Sequence, residues 1–231
     1  MIKDFIYQKK EMIKFYFKHL REIFNLINNG IKIYNYYASK EVLFDNIYFK
    51  YDDFIPSKND IVLDIGSQYG DYAIACVKLY NVKHVYAFEP LISNYHRAFN
   101  NIEYSKAYKD ITLFPNGIRY NRNSEAFVKG NMISNINGDK ISAGFVRLDD
   151  IDVFDNINIL KIDVEGFEME VLNSGIELIK KYKPKIIVET HSMQLHLEVR
   201  KFLTSLDYKL IHTDYNGSNK YMNYIANNFY N

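Results

Sequence analysis

The 231-residue sequence predicts an α/β fold built on a largely parallel sheet. Three observations carry that prediction. From Asp60 onward, short apolar runs of strand length alternate with longer runs of helical spacing, the pattern of repeated strand–helix–strand units. Acids and glycines sit at or just past the strand ends: Asp64, Gly66, Gly70, Glu89 and Asp163. Only Tyr215-Asn216-Gly217-Ser218-Asn219 separates the last two strands. A parallel crossover needs a dozen residues or more, so this pair is an antiparallel hairpin.

Residues 1–57 form a leader ahead of the main domain, residues 58–231. In the leader, Met12, Tyr16, Leu20, Ile23, Phe24 and Ile27 recur at three- and four-residue steps, which makes one apolar helical stripe. Lys9, Lys10, Lys14, Lys18 and Arg21 mostly lie off it, and Asn28-Asn29-Gly30 stops the helix. A basic amphipathic helix can meet a membrane surface or an anionic partner. The simpler expectation, adopted here, is a helix packed on the domain with its lysines solvated.

In the main domain, residues 60–65 read as a strand and 70–80 as a helix, then 83–88 as a strand and 91–102 as a helix. Residues 111–114 and 159–162 are further strands, the second followed by a helix over 167–181. Pro184 opens a strand over 185–188, followed by a helix over 193–205 and strands over 208–213 and 220–226. Residues 119–147 break the alternation. Arg119 to Val128 and Ile141 to Val146 read as short strands around turns at Gly130 and Gly138, an insertion over the site edge, where loops carry specificity.

Composition excludes several classes. Formal net charge is +1, so no global attraction to nucleic acid or membrane is implied. The lone Cys76 rules out an internal disulfide, fits a reducing compartment and reads as a small core residue. No apolar run approaches the ~20 residues that cross a bilayer, and the N-terminus lacks a signal-peptide core. The default location is cytoplasmic.

The chemistry is concentrated in Val62-Leu63-Asp64-Ile65-Gly66-Ser67-Gln68-Tyr69-Gly70. A glycine turn between strand and helix lets backbone approach a ligand and aims helix N–H groups at it. The spacing Asp-x-Gly-x-x-x-Gly is not the dinucleotide fingerprint Gly-x-Gly-x-x-Gly. An aspartate there repels a pyrophosphate and suits a ligand carrying positive charge, such as the amino end of S-adenosylmethionine. Glu89, at the end of the next strand, can accept hydrogen bonds from both ribose hydroxyls. The plainer alternatives are that Asp64 caps the following helix and that Glu89 is a solvated strand end. Pro90 offers an apolar wall to an adenine. Asn116 either reaches the adenine edge or simply makes an Asn-Gly turn.

Asp64-Ile65-Gly66-Ser67-Gln68-Tyr69-Gly70-Asp71, Phe88-Glu89-Pro90, Leu148-Asp149-Asp150 and Leu160-Lys161-Ile162-Asp163-Val164-Glu165-Gly166-Phe167-Glu168 resemble, in order and spacing, the successive signatures of FkbM-type methyltransferases. The resemblance spans roughly residues 58 to 192. The last segment is the most discriminating, because general methyltransferases lack it. One departure stands out: the family usually has Ala-Asn or a similar pair where this chain has Ser67-Gln68. The resemblance implies a Rossmann-like class I sheet of order 3-2-1-4-5-7-6 with the last strand antiparallel. It also implies S-adenosyl-L-methionine as cofactor, held by Asp64, Gly66, Ser67, Gln68, Tyr69, Gly70, Glu89, Pro90, Asn116 and Asp163.

Methyl transfer is an in-line displacement from a sulfonium, so positioning supplies much of the acceleration. An alcohol acceptor also wants a base within reach. Asp163, Glu165 and His191 are the candidates, all at strand ends, while His196 reads as surface. Asp163, Glu165, Glu189 and His191 offer ligands that suit a divalent ion, but no tight motif supports one and no metal is expected.

The expected acceptor is a hydroxyl on a sugar, glycolipid or other small metabolite. An RNA methyltransferase is the alternative, disfavoured by the near-zero charge, the missing Asn/Asp-Pro-Pro-aromatic tetrapeptide and the lack of an RNA-binding module. A non-catalytic S-adenosylmethionine-binding protein is the third reading, and the presence of Asp163 and Glu165 speaks against it. The sequence sets no oligomeric state.

Overall fold

The computed structural model describes residues 2–121, 126–129, 132–134, 139–141, 143–152, 155–215 and 220–227. The leader carries helices α1 (Ile2–Lys18), α2 (Leu20–Asn28) and α3 (Lys40–Leu43). The alternating region follows as β1 (Ile61–Ile65), α4 (Asp71–Tyr80), β2 (His84–Phe88), α5 (Ile92–Tyr104) and β3 (Ile111–Phe114). Five short strands come next: β4 (Asn116–Ile118), β5 (Ala126–Lys129), β6 (Met132–Ser134), β7 (Asp139–Ile141) and β8 (Gly144–Val146). The chain ends with β9 (Ile159–Ile162), α6 (Glu168–Ser174), α7 (Ile176–Tyr182), β10 (Lys185–Thr190), α8 (Met193–Thr204), β11 (Tyr208–Tyr215) and β12 (Tyr221–Asn227).

The main sheet has the order β3-β2-β1-β9-β10-β12-β11. Its neighbours are parallel except β12, which runs antiparallel to both β10 and β11. This is the expected 3-2-1-4-5-7-6 arrangement. Residues 216–219 of the expected hairpin loop lie outside the described residues.

The strands formed as read because they are apolar on both faces, as parallel strands covered by helices must be. Alternate residues feed two cores. Val62, Val85, Ile159 and Ile187 face α4 and the leader. Leu63, Leu160, Ile186 and Val188 face α6, α7 and α8. Cys76 is buried in the first of these cores.

The leader is integral to that first core. Phe15, Ile23, Ile31, Ile33, Tyr36, Val42, Leu43, Tyr48, Phe49 and Phe54 are all buried in it. Each such side chain contributes roughly 1.5–3 kcal/mol, so stripping the leader would open most of one face. Backbone bonds from Lys32 N to Ser105 Oγ and from Tyr34 N to Asn101 Oδ1, both 2.9 Å, tie it to α5.

Four details differ from the sequence reading. The leader's buried contact centres on Phe15 and Ile23, whereas Leu20 and Phe24 stay exposed. The helix expected over 167–181 is two helices, broken at Gly175, whose backbone leaves helical geometry at φ −124 and ψ 27. Arg119 is not in a strand but buried, its guanidinium 3.8 Å from the Phe167 ring centre. His196 is buried beside Tyr221 rather than on the surface. The turns read at Gly130 and Gly138 lie outside the described residues.

Candidate active site

The β1 turn is shaped by a close crossing. Gly66 has φ +81, and a Cβ there would lie 1.8 Å from the Asp163 carbonyl oxygen at the end of β9. Gly66 N and Ser67 N both donate to Phe88 O, at 3.1 and 3.0 Å, which joins this turn to the end of β2. Gln68 then takes φ +49, and its N–H donates to Glu89 Oε2 at 2.9 Å. Leu91 N donates to Glu89 Oε1, also at 2.9 Å. Two backbone donors thus clamp the Glu89 carboxylate. Burial pushes its carboxyl up to about 7, against these two bonds.

A cavity of about 490 Å³ opens at these strand ends. It is lined by Gly66, Gln68, Phe88, Glu89, Pro90, Gly117 and Ile118, by Asp163, Val164, Glu165 and Lys220, and by Tyr37, Ala38, Lys40 and Glu41 of the leader. The volume falls within the usual range for small-molecule sites. A larger cavity of about 660 Å³ lies between the leader and α5, lined by Tyr34, Tyr69, Arg97 and Asn101 among others. It shares Tyr37 and Ala38 with the first but contains none of the strand-end acids, so the chemistry belongs to the smaller cavity.

The sequence-derived residues divide on this geometry. Gly66, Gln68, Glu89, Pro90, Asp163 and Glu165 line the cavity. Ser67 is buried behind it, and Gly70 packs against Ala98 at the start of α4. Tyr69 lines the larger cavity. Asn116 lies in β4, its amide 3.5 Å from Gly144 O, and its neighbours Gly117 and Ile118 take the wall position.

Asp64 is fully buried and off the cavity wall. It stands in register with Lys161 of β9, whose Nζ lies 3.0 Å from its Oδ1 and donates to Gly66 O at 2.8 Å. Burial works against the lysine's charge, but Asp64 and Asp163 outweigh it and hold its pKa above the ordinary range. The lysine therefore neutralises Asp64 inside the protein and pins the glycine turn.

Asp163, Glu165 and His191 come together, with partners that sequence reasoning missed. Glu168, fully buried, accepts from His191 Nδ1 at 2.7 Å. His191 Nε2 lies 3.2 Å from Glu165 Oε2 and 3.7 Å from both Asp163 Oδ1 and Glu189 Oε1. His191 itself is not on the cavity wall and reaches it only through Asp163 and Glu165. Burial opposes its charge, yet the bond to Glu168 and the surrounding carboxylates raise its pKa above the ordinary value. Lys220 sits 2.9 Å from Glu189 and 3.8 Å from Glu165. Tyr48 of the leader donates to Asp163 Oδ2 at 2.8 Å. Burial pushes the Asp163 carboxyl up, but Lys161, His191, Tyr48 and Lys220 outweigh it and hold it below the usual range. Glu189 goes the other way, raised by burial and by Asp163.

The Leu148-Asp149-Asp150 segment has a structural role. Asp149 accepts from Leu178 N at 2.9 Å and Glu177 N at 3.2 Å, which caps α7.

The methyltransferase FkbM domain model matches residues 64–210. Hexuronic acid methyltransferase AglP of Haloferax volcanii is 29% identical over 161 residues, which cover 64% of this chain and 62% of that protein. The crystal structure of methyltransferase FkbM from Methylobacillus flagellatus KT superposes with a TM-score of 0.61 at 17% identity, over 90% of this chain and 60% of the other. A Streptococcus pneumoniae putative tRNA (m1A22) methyltransferase, in complex with S-adenosyl-L-methionine, gives a TM-score of 0.54 at 15% identity over 79% of this chain and 71% of the other. The two structural likenesses show the fold. The chain spans about three-fifths of the length of the first two relatives.

Proposed function

The chain belongs to the FkbM methyltransferase family, and from that premise we propose that it transfers a methyl group from S-adenosyl-L-methionine to a hydroxyl of a sugar or a sugar-like metabolite. One observation carries the reading. One cavity is lined by the clamped Glu89 carboxylate, by Gly66 and Gln68 of the β1 turn, and by Asp163 and Glu165.

The residues fit this cofactor. Glu89, fixed by two backbone donors, is placed to accept from ribose hydroxyls. Pro90 and Ile118 supply apolar wall for an adenine. Asp163 and Glu165 favour a nearby positive charge, and Gln68 takes the contact usually made by the family's Asn. When bound, the cofactor supplies an activated methyl group on a sulfonium.

The protein's own part is positioning and proton removal. Asp163, held ionised and oriented by Tyr48, faces the cavity and takes the acceptor's proton, with Glu165 beside it. His191 acts behind them as a positioning residue. Oriented by Glu168, its imidazolium helps hold the Asp163 carboxyl below the usual range. The leader residues Tyr37 to Glu41 cap the site and shape the acceptor space.

AglP acts, by its name, on a hexuronic acid, which directs the acceptor toward sugars. Among the described residues, the cavity is lined by the acids Glu41, Glu89, Asp163 and Glu165 and by two cations, Lys40 and Lys220. That excess of negative charge favours a neutral hydroxyl over a carboxylate as the accepting group.

The test is calorimetric titration with S-adenosylmethionine, S-adenosylhomocysteine and NAD, followed by transfer of labelled methyl to a panel of hexoses and hexuronic acids. Binding of both sulfur compounds and label on a sugar hydroxyl is expected. Binding of NAD alone would overturn the cofactor reading. Label on a carboxylate would overturn the acceptor reading.

A further inference from the structure

Packing of the leader onto the domain leaves a second apolar face of α1 and α2 in solvent. Ile13, Phe17, Leu20 and Phe24 are 47%, 80%, 52% and 58% exposed. α1 and α2 meet at His19 (φ −104, ψ 18), where bonds from His19 N to Phe15 O and from Ile23 N to His19 O, each 2.9 Å, keep the helical spacing across the junction. At about 100° per residue, the four side chains therefore fall within about 60° of one another. They form a continuous stripe, separate from the face that buries Phe15 and Ile23.

The same rotation puts Lys10, Arg21, Lys14 and Lys18 along one border of the stripe, all of them exposed. Residues 2–28 hold six basic and three acidic side chains, a net +3, while the whole chain carries +1. The remainder is therefore net negative, and the positive charge is gathered beside the exposed apolar stripe. Among the described residues no helix is long and apolar enough to cross a membrane. An apolar stripe bordered by cations is instead the form of a helix that lies in the plane of a bilayer surface.

We propose that α1 and α2 dock flat on an anionic lipid surface. Ile13, Phe17, Leu20 and Phe24 enter the acyl boundary, and Lys10, Lys14, Lys18 and Arg21 meet the headgroups. The inference rests on this surface alone and stands or falls separately from methyl transfer.

The experiment is co-sedimentation of the full chain with vesicles of phosphatidylcholine alone and of phosphatidylcholine mixed with phosphatidylglycerol, at low and high salt. Binding to the anionic vesicles, weakened by salt and far weaker on phosphatidylcholine, is expected. Phe17→Ser with Phe24→Ser should lower the partition coefficient at least about ten-fold. Lys14→Gln and Lys18→Gln should each lower it about five-fold. These positions are exposed, so the circular dichroism spectrum should not change. Absence of binding to either vesicle overturns the proposal, as does binding that ignores the Phe17 and Phe24 changes. A lipid-independent dimer abolished by the same two changes would also overturn it, by giving the stripe to a second copy of the chain.

Discussion

Asp64 and Asp163 occupy comparable positions, each at the carboxyl end of a central parallel strand, yet their surroundings differ. Asp64 still lies within the sheet, in register with Lys161, and its charge is met there. Asp163 lies just beyond the last residue of β9 and shares Lys161 with Asp64. It faces the cavity and is met by Tyr48 from the leader and by His191 from the end of β10. The difference teaches that residue type at a strand end does not assign a role. The acid whose counter-charge stands on the neighbouring strand is buried off the cavity, and the acid beyond the last strand pair lines it.

The sharpest way to break this comparison is to neutralise each acid in turn. Asp163→Asn should lower turnover by roughly 10²–10⁴-fold while leaving S-adenosylhomocysteine affinity and the thermal midpoint near wild type. Single-turnover methyl transfer and calorimetry check both halves. Asp163→Asn with normal turnover would remove the base from the cavity.

Next comes the structural pair. Lys161→Met leaves Asp64 buried without its cation, a change that costs about 3–5 kcal/mol. Urea unfolding should show the loss. Asp64→Asn combined with Lys161→Met should recover much of it, because no unpaired charge remains. A single Lys161 variant as stable as wild type would mean that Asp64 is not held by this lysine.

Much of the architecture was legible because the central strands β1, β9 and β10 are apolar and buried and are followed or preceded by Gly, Pro or an acid. That Asp163, Glu165 and His191 gather at one place was legible from the ends of the strands. Lys161 was missed as a partner, although a lysine inside a strand that reads as buried on both faces demands a carboxylate neighbour. Tyr48 and Lys220 carried no local signal, since only tertiary packing brings them to Asp163 and Glu189. Asn116 makes no Asn-Gly turn, because it begins a two-stranded ribbon with β8 that local sequence does not signal.

Glu89 extends the comparison to pH. Its carboxyl is pushed up from an ordinary 4.5 to about 7 in the fold. Between those values the unfolded chain has released the proton and the folded chain has kept it, so stability falls as pH rises through this window and levels off above it. Glu89→Gln should remove that decline, worth about 1–3 kcal/mol, and should weaken S-adenosylhomocysteine binding. Denaturation midpoints across the window test the first half and titration the second. An unchanged slope would mean that the clamped carboxylate is already ionised at low pH.

The smallest expected effect concerns the leader's reach into the site. Tyr48→Phe removes one hydrogen bond to Asp163 and keeps the ring packed on Tyr72. The loss of stability should be only about 1 kcal/mol. Asp163 would lose one of the groups that hold its carboxyl low, so its pKa should move up toward the usual range. A depressed carboxyl lends stability at pH values above its unfolded pKa and gives that stability up as pH falls through its folded pKa. The acid limb of the turnover profile should therefore shift to higher pH in Tyr48→Phe, with the alkaline limb in place. A purely structural tyrosine would lower the thermal midpoint and leave the profile where it was.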